Sequence, residues 1–287
     1  MKKKFLLISA LSLIAFMAIL TISCSKNDSE SSTENEKVSN TQGVSLYLTD
    51  GPADYEHVYI DIQSVEVMTD TCSGSEFDYW DKDYRDSCIS WNELKITPGT
   101  YDLLTLNNGV DAALAQGTVP KGKIKLIKFQ LGSNNTLVKS GATYALKLLT
   151  DSSAVYLNLR GNEWDQSDSD SSKLWIDFDV ARSVFELPNN KYYLSPVLTA
   201  FVEKNTGNIE GEVLPDDAYP YISVYNNSGD TTYNIPRPDG YFKVRALETG
   251  TYSLKIDANN GYKDTVISNI SVTSGKTIKL SSITLHK

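Results

Sequence analysis

From Gly43 onward this chain is governed by apolar residues that recur at every second position. Val44, Leu46 and Leu48 alternate with Ser45, Tyr47 and Thr49, a period that buries one face of an extended strand. Asp50-Gly51-Pro52 then makes a turn, and Val58, Ile60 and Ile62 form the next inward set before the parity flips to Val65 and Val67. A one-residue insertion exchanges the two faces of a strand, so the flip predicts a β-bulge near Gln63-Ser64. Further strands are predicted over 101–106, 123–131, 144–148, 154–160, 174–178 and 192–202. Two short helices are expected between them. Asn107 or Asn108 caps one that runs to about Ala115 and ends at Gly117, and Asp179 caps another over 180–186. Eight or so strands across residues 43–204 predict an all-β fold, a β-sandwich decorated with two short helices.

After Glu203-Lys204-Asn205-Thr206-Gly207 the strands become shorter, over 208–213 and 221–225 and then around two turn signals. Pro238-Asp239-Gly240-Tyr241-Phe242 places Asp-Gly ahead of an alternating strand, which predicts a tight hairpin. The opening Gly211-Glu212-Val213, that Asp-Gly-x-Phe unit and Leu247-Glu248-Thr249-Gly250-Thr251-Tyr252 together resemble carboxypeptidase regulatory-like domains. The resemblance implies a second, transthyretin-type or Ig-like β-sandwich over 207–287, with a non-catalytic spacer or stabilising role.

The first 23 residues stand outside this pattern. Lys2, Lys3 and Lys4 precede an apolar run from 5 to 22, and Thr21-Ile22-Ser23-Cys24 closes it. A basic end, an apolar core and a small residue before cysteine predict a lipoprotein signal, to be set aside from the fold. The run is long enough to be a membrane-spanning helix or an ordinary secretion signal instead; Ser9, Ser12 and Thr21 weaken the spanning alternative. Lipidation of Cys24 is the expectation, and multiple acyl chains would make the anchor effectively permanent. Residues 25–42 are polar apart from Val38, too poor in apolar surface to order themselves. As a flexible tether they reach roughly 23 Å. The string Ser25-Lys26-Asn27-Asp28-Ser29-Glu30 resembles the export signals of Bacteroidetes-type surface lipoproteins, which implies an outer-membrane, outward-facing location.

Charge narrows the partners. The signal holds 3 of the 27 basic residues and none of the 36 acidic ones, leaving 24 against 36, a formal −12. Nucleic acid and anionic lipid headgroups need basic surfaces, so neither is expected. The membrane is reached through the lipid alone. Beyond Cys24 the cysteines are Cys72 and Cys88. An even pair in an oxidising compartment reads as a disulfide, worth roughly 3 kcal/mol for a loop of about 15 residues, with two separate free thiols as the alternative.

The order of motifs in the first region carries a second resemblance. Leu46-Tyr47-Leu48-Thr49-Asp50-Gly51-Pro52, Tyr101-Asp102-Leu103-Leu104, the stretch from Gly109 to Leu114, and Val119-Pro120-Lys121-Gly122-Lys123 are similar to a domain-of-unknown-function family of bacterial lipoproteins. That resemblance implies a surface or periplasmic domain and transfers no catalytic residues.

Little else in the chain signals chemistry. There are two histidines, His57 and His286, and no nucleophile-elbow motif, so nucleophilic catalysis is not expected. Cysteine/histidine metal spacings and phosphate-cradling loops are absent, and no cofactor is implied. Asp177 and Asp179 share one strand face about 6.5–7 Å apart, the separation of an inverting glycosidase pair; the plainer reading makes Asp177 a solvated strand residue and Asp179 a helix cap. Asp165, Asp168 and Asp170 are a weak calcium candidate that lacks the glycine and terminal glutamate of an EF-hand loop. The strongest binding candidate is the 72–88 loop, where Phe77, Tyr79, Trp80 and Tyr84 lie among acids, with Trp91 just beyond. Flat rings stack on sugar faces, whereas the alternative has these rings closing the end of the sandwich.

These readings lead to a non-catalytic, lipid-anchored surface protein that binds a ligand such as a glycan or acts in adhesion. The rival reading is a structural subunit of an envelope complex, with a protein partner on the loop. A glycan hydrolase using Asp177 and Asp179 is the third.

Overall fold

The computed structural model describes residues 40–71, 88–159 and 171–287. Its first thirteen strands are β1 (Thr41–Thr49), β2 (His57–Asp70), β3 (Ile89–Ile96), β4 (Gly99–Asp102), β5 (Ala112–Pro120), β6 (Lys123–Leu131), β7 (Thr136–Lys139), β8 (Ala142–Leu148), β9 (Ala154–Asn158), β10 (Ser171–Phe178), β11 (Val184–Leu187), β12 (Lys191–Leu194) and β13 (Leu198–Phe201). One helical turn, α1 (Val180–Ser183), joins β10 to β11. β1 lies between antiparallel β5 and parallel β10, and β13 flanks β10 on its other side. The alternation in β1 behaves as read, with Val44, Leu46 and Leu48 at 2% exposure or less.

The longest strand, β2, organises the rest. Its first half pairs with β4 and β7, and its second half with β3 and β6. The register of the β2–β6 ladder shifts between Ile62 and Ser64, where the parity flip places a bulge. Burial follows the flip: Val58, Ile60 and Ile62 are buried before it, and Val65 and Val67 after it.

Asp61 is what holds the bulge. Its carboxylate, 2% exposed, accepts the Asn134 N–H (3.1 Å) and a hydrogen bond from the Gln63 side chain. Its own N–H donates to Asn135 Oδ1 (2.8 Å), and its carbonyl accepts the Gly132 N–H (2.8 Å). A β-carbon on Gly132 would sit 2.1 Å from Asp61 Oδ2, so only glycine admits the carboxylate there.

Three expectations need correction. The helix over 108–115 is absent: Asn108 and Gly109 are both left-handed (φ 52° and 84°), which makes a turn rather than a cap. The alanines that follow form β5, where Ala113 pairs with Tyr47 and Gly117 with Val44. Tertiary pairing overrides the helix preference of alanine here. The helix over 180–186 shortens to one turn because Val184–Leu187 pairs with β12. The strand over 101–106 stops at Asp102, and 103–105 is a 3₁₀ turn. β3 and β7 had not been foreseen, and the strand over 192–202 is broken at Ser195-Pro196 into β12 and β13.

The remaining strands are β14 (Gly207–Leu214), β15 (Tyr221–Asn226), β16 (Thr231–Asn234), β17 (Tyr241–Leu247), β18 (Gly250–Asp257), β19 (Thr265–Val272), β20 (Thr277–Lys279) and β21 (Ile283–Thr284). β17, β14, β20 and β21 form one sheet, and β16, β15, β18 and β19 another. The Asp239-Gly240 turn closes as expected, with Gly240 N–H on the Arg237 carbonyl at 2.7 Å. The strands on either side of it belong to different sheets, so it is a crossing between sheets rather than a hairpin. Each half of the chain encloses its own apolar core, one built from Val44 to Val202 and the other from Ile209 to Leu285. Both cores lie within one compact unit, residues 39–287.

The Asp61 arrangement yields a prediction. Gly132→Ala should lower stability by about 1–3 kcal/mol, because the added methyl displaces a buried, hydrogen-bonded carboxylate. A denaturant melt with an unchanged midpoint would contradict this account of the bulge.

Candidate ligand-binding cleft

The end of β1 starts the site. Thr49 Oγ1 and the Asp50 N–H both donate to the Leu106 carbonyl, each at 2.9 Å. Asp50, 6% exposed, turns its Oδ1 to the Val180 N–H at 3.1 Å. The Thr-Asp pair of the Leu-Thr-Asp-Gly-Pro stretch therefore ties β1 to two other segments. Asp50 Oδ2 is buried and, among the described residues, has no hydrogen-bond partner.

Asp177 sits in register between Thr49 on β1 and Thr199 on β13. Among the described residues its carboxylate accepts one hydrogen bond, a long one of 3.5 Å from Thr199 Oγ1. Asp179 is better served. It caps α1 by accepting the Arg182 N–H at 2.9 Å and forms an ion pair with Arg182 Nε at 2.6 Å. The cap reading of Asp179 holds, and it leaves that carboxylate committed. Asp177 departs from the solvated reading, because it is only partly exposed. Burial, with Asp179 nearby, pushes its carboxyl up to about 7 against the pull of Arg182, Thr199 and Arg245. Burial likewise raises Asp50 well above the usual carboxylate range, opposed by the Val180 N–H and reinforced by Asp177.

The second core supplies the facing wall, and two contacts fix it there. The Asn108 side chain donates to the Ile235 carbonyl (3.0 Å) and accepts the Lys243 N–H (3.1 Å), matching a strip of backbone from both sides. A β-carbon on Gly109 would lie 2.7 Å from Lys243 Cδ, so this turn must be Asn-Gly. Arg245 makes the second contact. Its side chain is 8% exposed and reaches Asp111 at 3.1 Å and Glu203 at 2.6 Å. Its guanidinium lies 5.6 Å from the Trp175 ring and 5.3 Å from Phe201. Trp175 Nε1–H donates to the same Asp111 carboxylate (2.9 Å) and stacks on Tyr47.

Between these walls lies a cleft of about 610 Å³. Its floor carries Asp50, Asp177 and Asp179, and its far side Asn234, Arg245, Tyr221 and Tyr233. The two tyrosines stack at 5.6 Å and remain 38% and 49% exposed. Among the described residues Asn234 Oδ1 and Arg245 Nε are also buried without partners, so three polar atoms unmatched within the described structure belong to residues lining one cleft. Among the described residues, no three His, Cys, Asp or Glu side chains are arranged to hold a metal ion.

Of the residues singled out in the sequence, Cys24, Cys72, Phe77, Tyr79, Trp80, Tyr84, Asp165, Asp168 and Asp170 lie outside the described residues. Trp91 lies on β3, 37% exposed, edge-to-face with Tyr156 of β9. It is not part of the cleft. Cys88 opens β3, its carbonyl accepting both the N–H and the Oγ1 of Thr71 at 2.9 Å. His57 Nδ1 and Asp102 Oδ2 are hydrogen-bonded at 2.6 Å. Asp50, Asn108 and Arg245 escaped the sequence reading. A carboxylate directly after a buried alternation was the available signal for Asp50, and Arg245 had none.

The profile of a domain of unknown function, DUF4382, matches residues 41–196. The chain belongs to the DUF4382 family. The matched stretch contains Asp50, Asn108, Asp111 and Asp177, whereas Arg245, Asn234 and the two cleft tyrosines lie beyond it. No curated protein matches. Among solved structures, a cohesin–X-dockerin complex from Acetivibrio cellulolyticus is 27% identical over 27% of this chain and 56% of its own, with a TM-score of 0.23. The minor pilin GBS52 of Streptococcus agalactiae is 13% identical over 85% of this chain and 96% of its own, at 0.23. A variant of the shaft pilin SpaA from Lactobacillus rhamnosus GG is 12% identical over 86% and 96%, at 0.24. Superpositions this loose transfer nothing to the DUF4382 chain.

The raised Asp177 carboxyl has a consequence for stability. A carboxyl whose folded-state value is about 7 binds its proton more tightly folded than unfolded, so stability falls as pH rises from about 4 to 7. Asp177→Asn should therefore raise Tm at pH 8 and flatten, without abolishing, the loss between pH 5 and 8, since Asp50 remains. Thermal melts with an unaltered pH profile would contradict the shift.

Proposed function

We propose that this DUF4382 protein is a non-catalytic, lipid-anchored envelope protein that captures a saccharide in the cleft where its two cores meet. The carrying observation is the exposed, stacked pair Tyr221 and Tyr233 beside a floor of carboxylates. Apolar ring faces pack against the C–H faces of a sugar while carboxylates accept its hydroxyls, and concave sites with a few convergent polar groups are the usual form of a ligand pocket. Asp179 being held by Arg182 argues against its use as a free general acid or base.

In this reading Cys24 carries the lipid, residues 25–42 are the tether, and the protein faces outward from the outer membrane. The part over 207–287 acts as a second β-sandwich domain of the carboxypeptidase regulatory-like kind, and here it also furnishes half of the cleft. A Cys72–Cys88 disulfide fits the β2–β3 ladder, whose last pairs are Asp70 with Ile89 and the Thr71–Cys88 hydrogen bond.

Two readouts on whole cells test this proposal. Cells expressing the full chain should retain fluorescent oligosaccharides from a mixed panel, and Tyr233→Ala should cut retention at least tenfold with Tm nearly unchanged. Cys24→Ala should abolish incorporation of labelled fatty acid. Retention unaffected by Tyr233→Ala would overturn the cleft, new reducing ends in the panel would overturn the non-catalytic assignment, and persistent labelling would overturn the anchor.

A further inference from the structure

The cleft floor has a charge pattern that a neutral sugar leaves unmatched. Among the described residues, the cations lining the cleft make their ion pairs elsewhere: Arg182 with Asp179, Arg245 with Asp111 and Glu203, and Lys243 with Glu210 at 3.9 Å, which leaves the single Nε–H of Arg245 unmatched. On the acceptor side, Asp50 is 6% exposed and lines the cleft, and among the described residues its Oδ2 has no partner while the Asp177 carboxylate accepts one long hydrogen bond. Once ionised, two neighbouring carboxyls with spare acceptor capacity and no ion pair of their own among the described residues suit a group that is all donor. An alkylammonium is such a group, with three N–H donors and no acceptor. A divalent cation would need several converging oxygens, and the described residues offer no such set.

We infer that the saccharide captured in the cleft carries a primary ammonium group, seated between the carboxyls of Asp50 and Asp177. The inference rests on the proposed function above and specifies its ligand. The rings of Tyr221 and Tyr233 hold the sugar body at the rim, and the amine reaches down to the floor. Binding of the cation favours the ionised carboxylates, so it expels protons and tightens as pH rises through the range in which Asp177 ionises, with Asp179, Arg182, Arg245 and Asp50 the charged groups around it.

The test compares 6-amino-6-deoxyglucose, glucose and 1,5-diaminopentane by calorimetric titration of the detergent-solubilised full chain at pH 6 and pH 8. The amino sugar should bind at least about tenfold tighter than glucose, with the larger advantage at pH 8. Asp177→Asn and, separately, Asp50→Asn should remove that advantage, weakening the amino sugar at least about tenfold more than glucose, whereas Tyr233→Ala should weaken both sugars alike. Equal affinity for the two sugars overturns the ammonium site and leaves the saccharide reading standing. Binding of the diamine with the same Asp177 dependence, but of neither sugar, supports the ammonium site and overturns the saccharide reading. Binding of none of the three overturns both.

Discussion

The guanidinium of Arg245 is the contact on which the shape of this molecule depends. It leaves the second core, packs beside the stacked rings of Trp175 and Phe201 of the first, and ends on Asp111 and Glu203. A cation this buried is stable only with its counter-charges in place, and removal of those carboxylates strands the guanidinium away from water. Asn108 repeats the logic in neutral form by offering a donor and an acceptor to the backbone of Ile235 and Lys243. Both contacts are directional, and together they fix the angle between two otherwise separate cores.

The cleft follows from that fixed angle. Its floor is made by the ends of three first-core strands, β1, β10 and β13, whose register sets Thr49, Asp177 and Thr199 in one row. Its opposite side is made by second-core residues that have no other reason to approach those carboxyls. The commitment of Arg245 to Asp111 and Glu203 withholds from Asp177 a full ion pair that would otherwise neutralise it. The same interaction thus builds the cavity and leaves its floor acidic. The joint carries part of the cost of that arrangement, since the residue after Arg245, Ala246, adopts a left-handed backbone (φ 61°) that non-glycine residues avoid.

Legibility in the sequence tracked how local the determining physics is. The bulge in β2 could be read because the parity of Ile62 and Val65 is a property of a few consecutive residues, and strand 123–131 emerged with the bounds read for it. Asp179 as a helix cap is local too. The Asn108–Ala115 stretch was misread because its alanines satisfy a helix pattern equally well, and only the pairing of Ala113 with Tyr47, far away in sequence, decides for strand. Asp177 was misjudged for the same reason: its solvation depends on Thr49, Thr199 and Arg245, all distant in the chain. Nothing near Arg245 marks it as the joint, since Phe242 and Val244 announce a strand and the arginine reads as its solvent face.

A double-mutant cycle on Arg245 and Asp111 tests this account most directly. Denaturant melts of the wild type, Arg245→Met, Asp111→Asn and the double variant give the coupling between the two side chains. A buried pair that fixes the two cores predicts a coupling of at least about 1 kcal/mol, with the double variant less destabilised than the two single changes summed. Additive losses would contradict the account, because the joint and the cleft it creates would then rest on something other than this arginine.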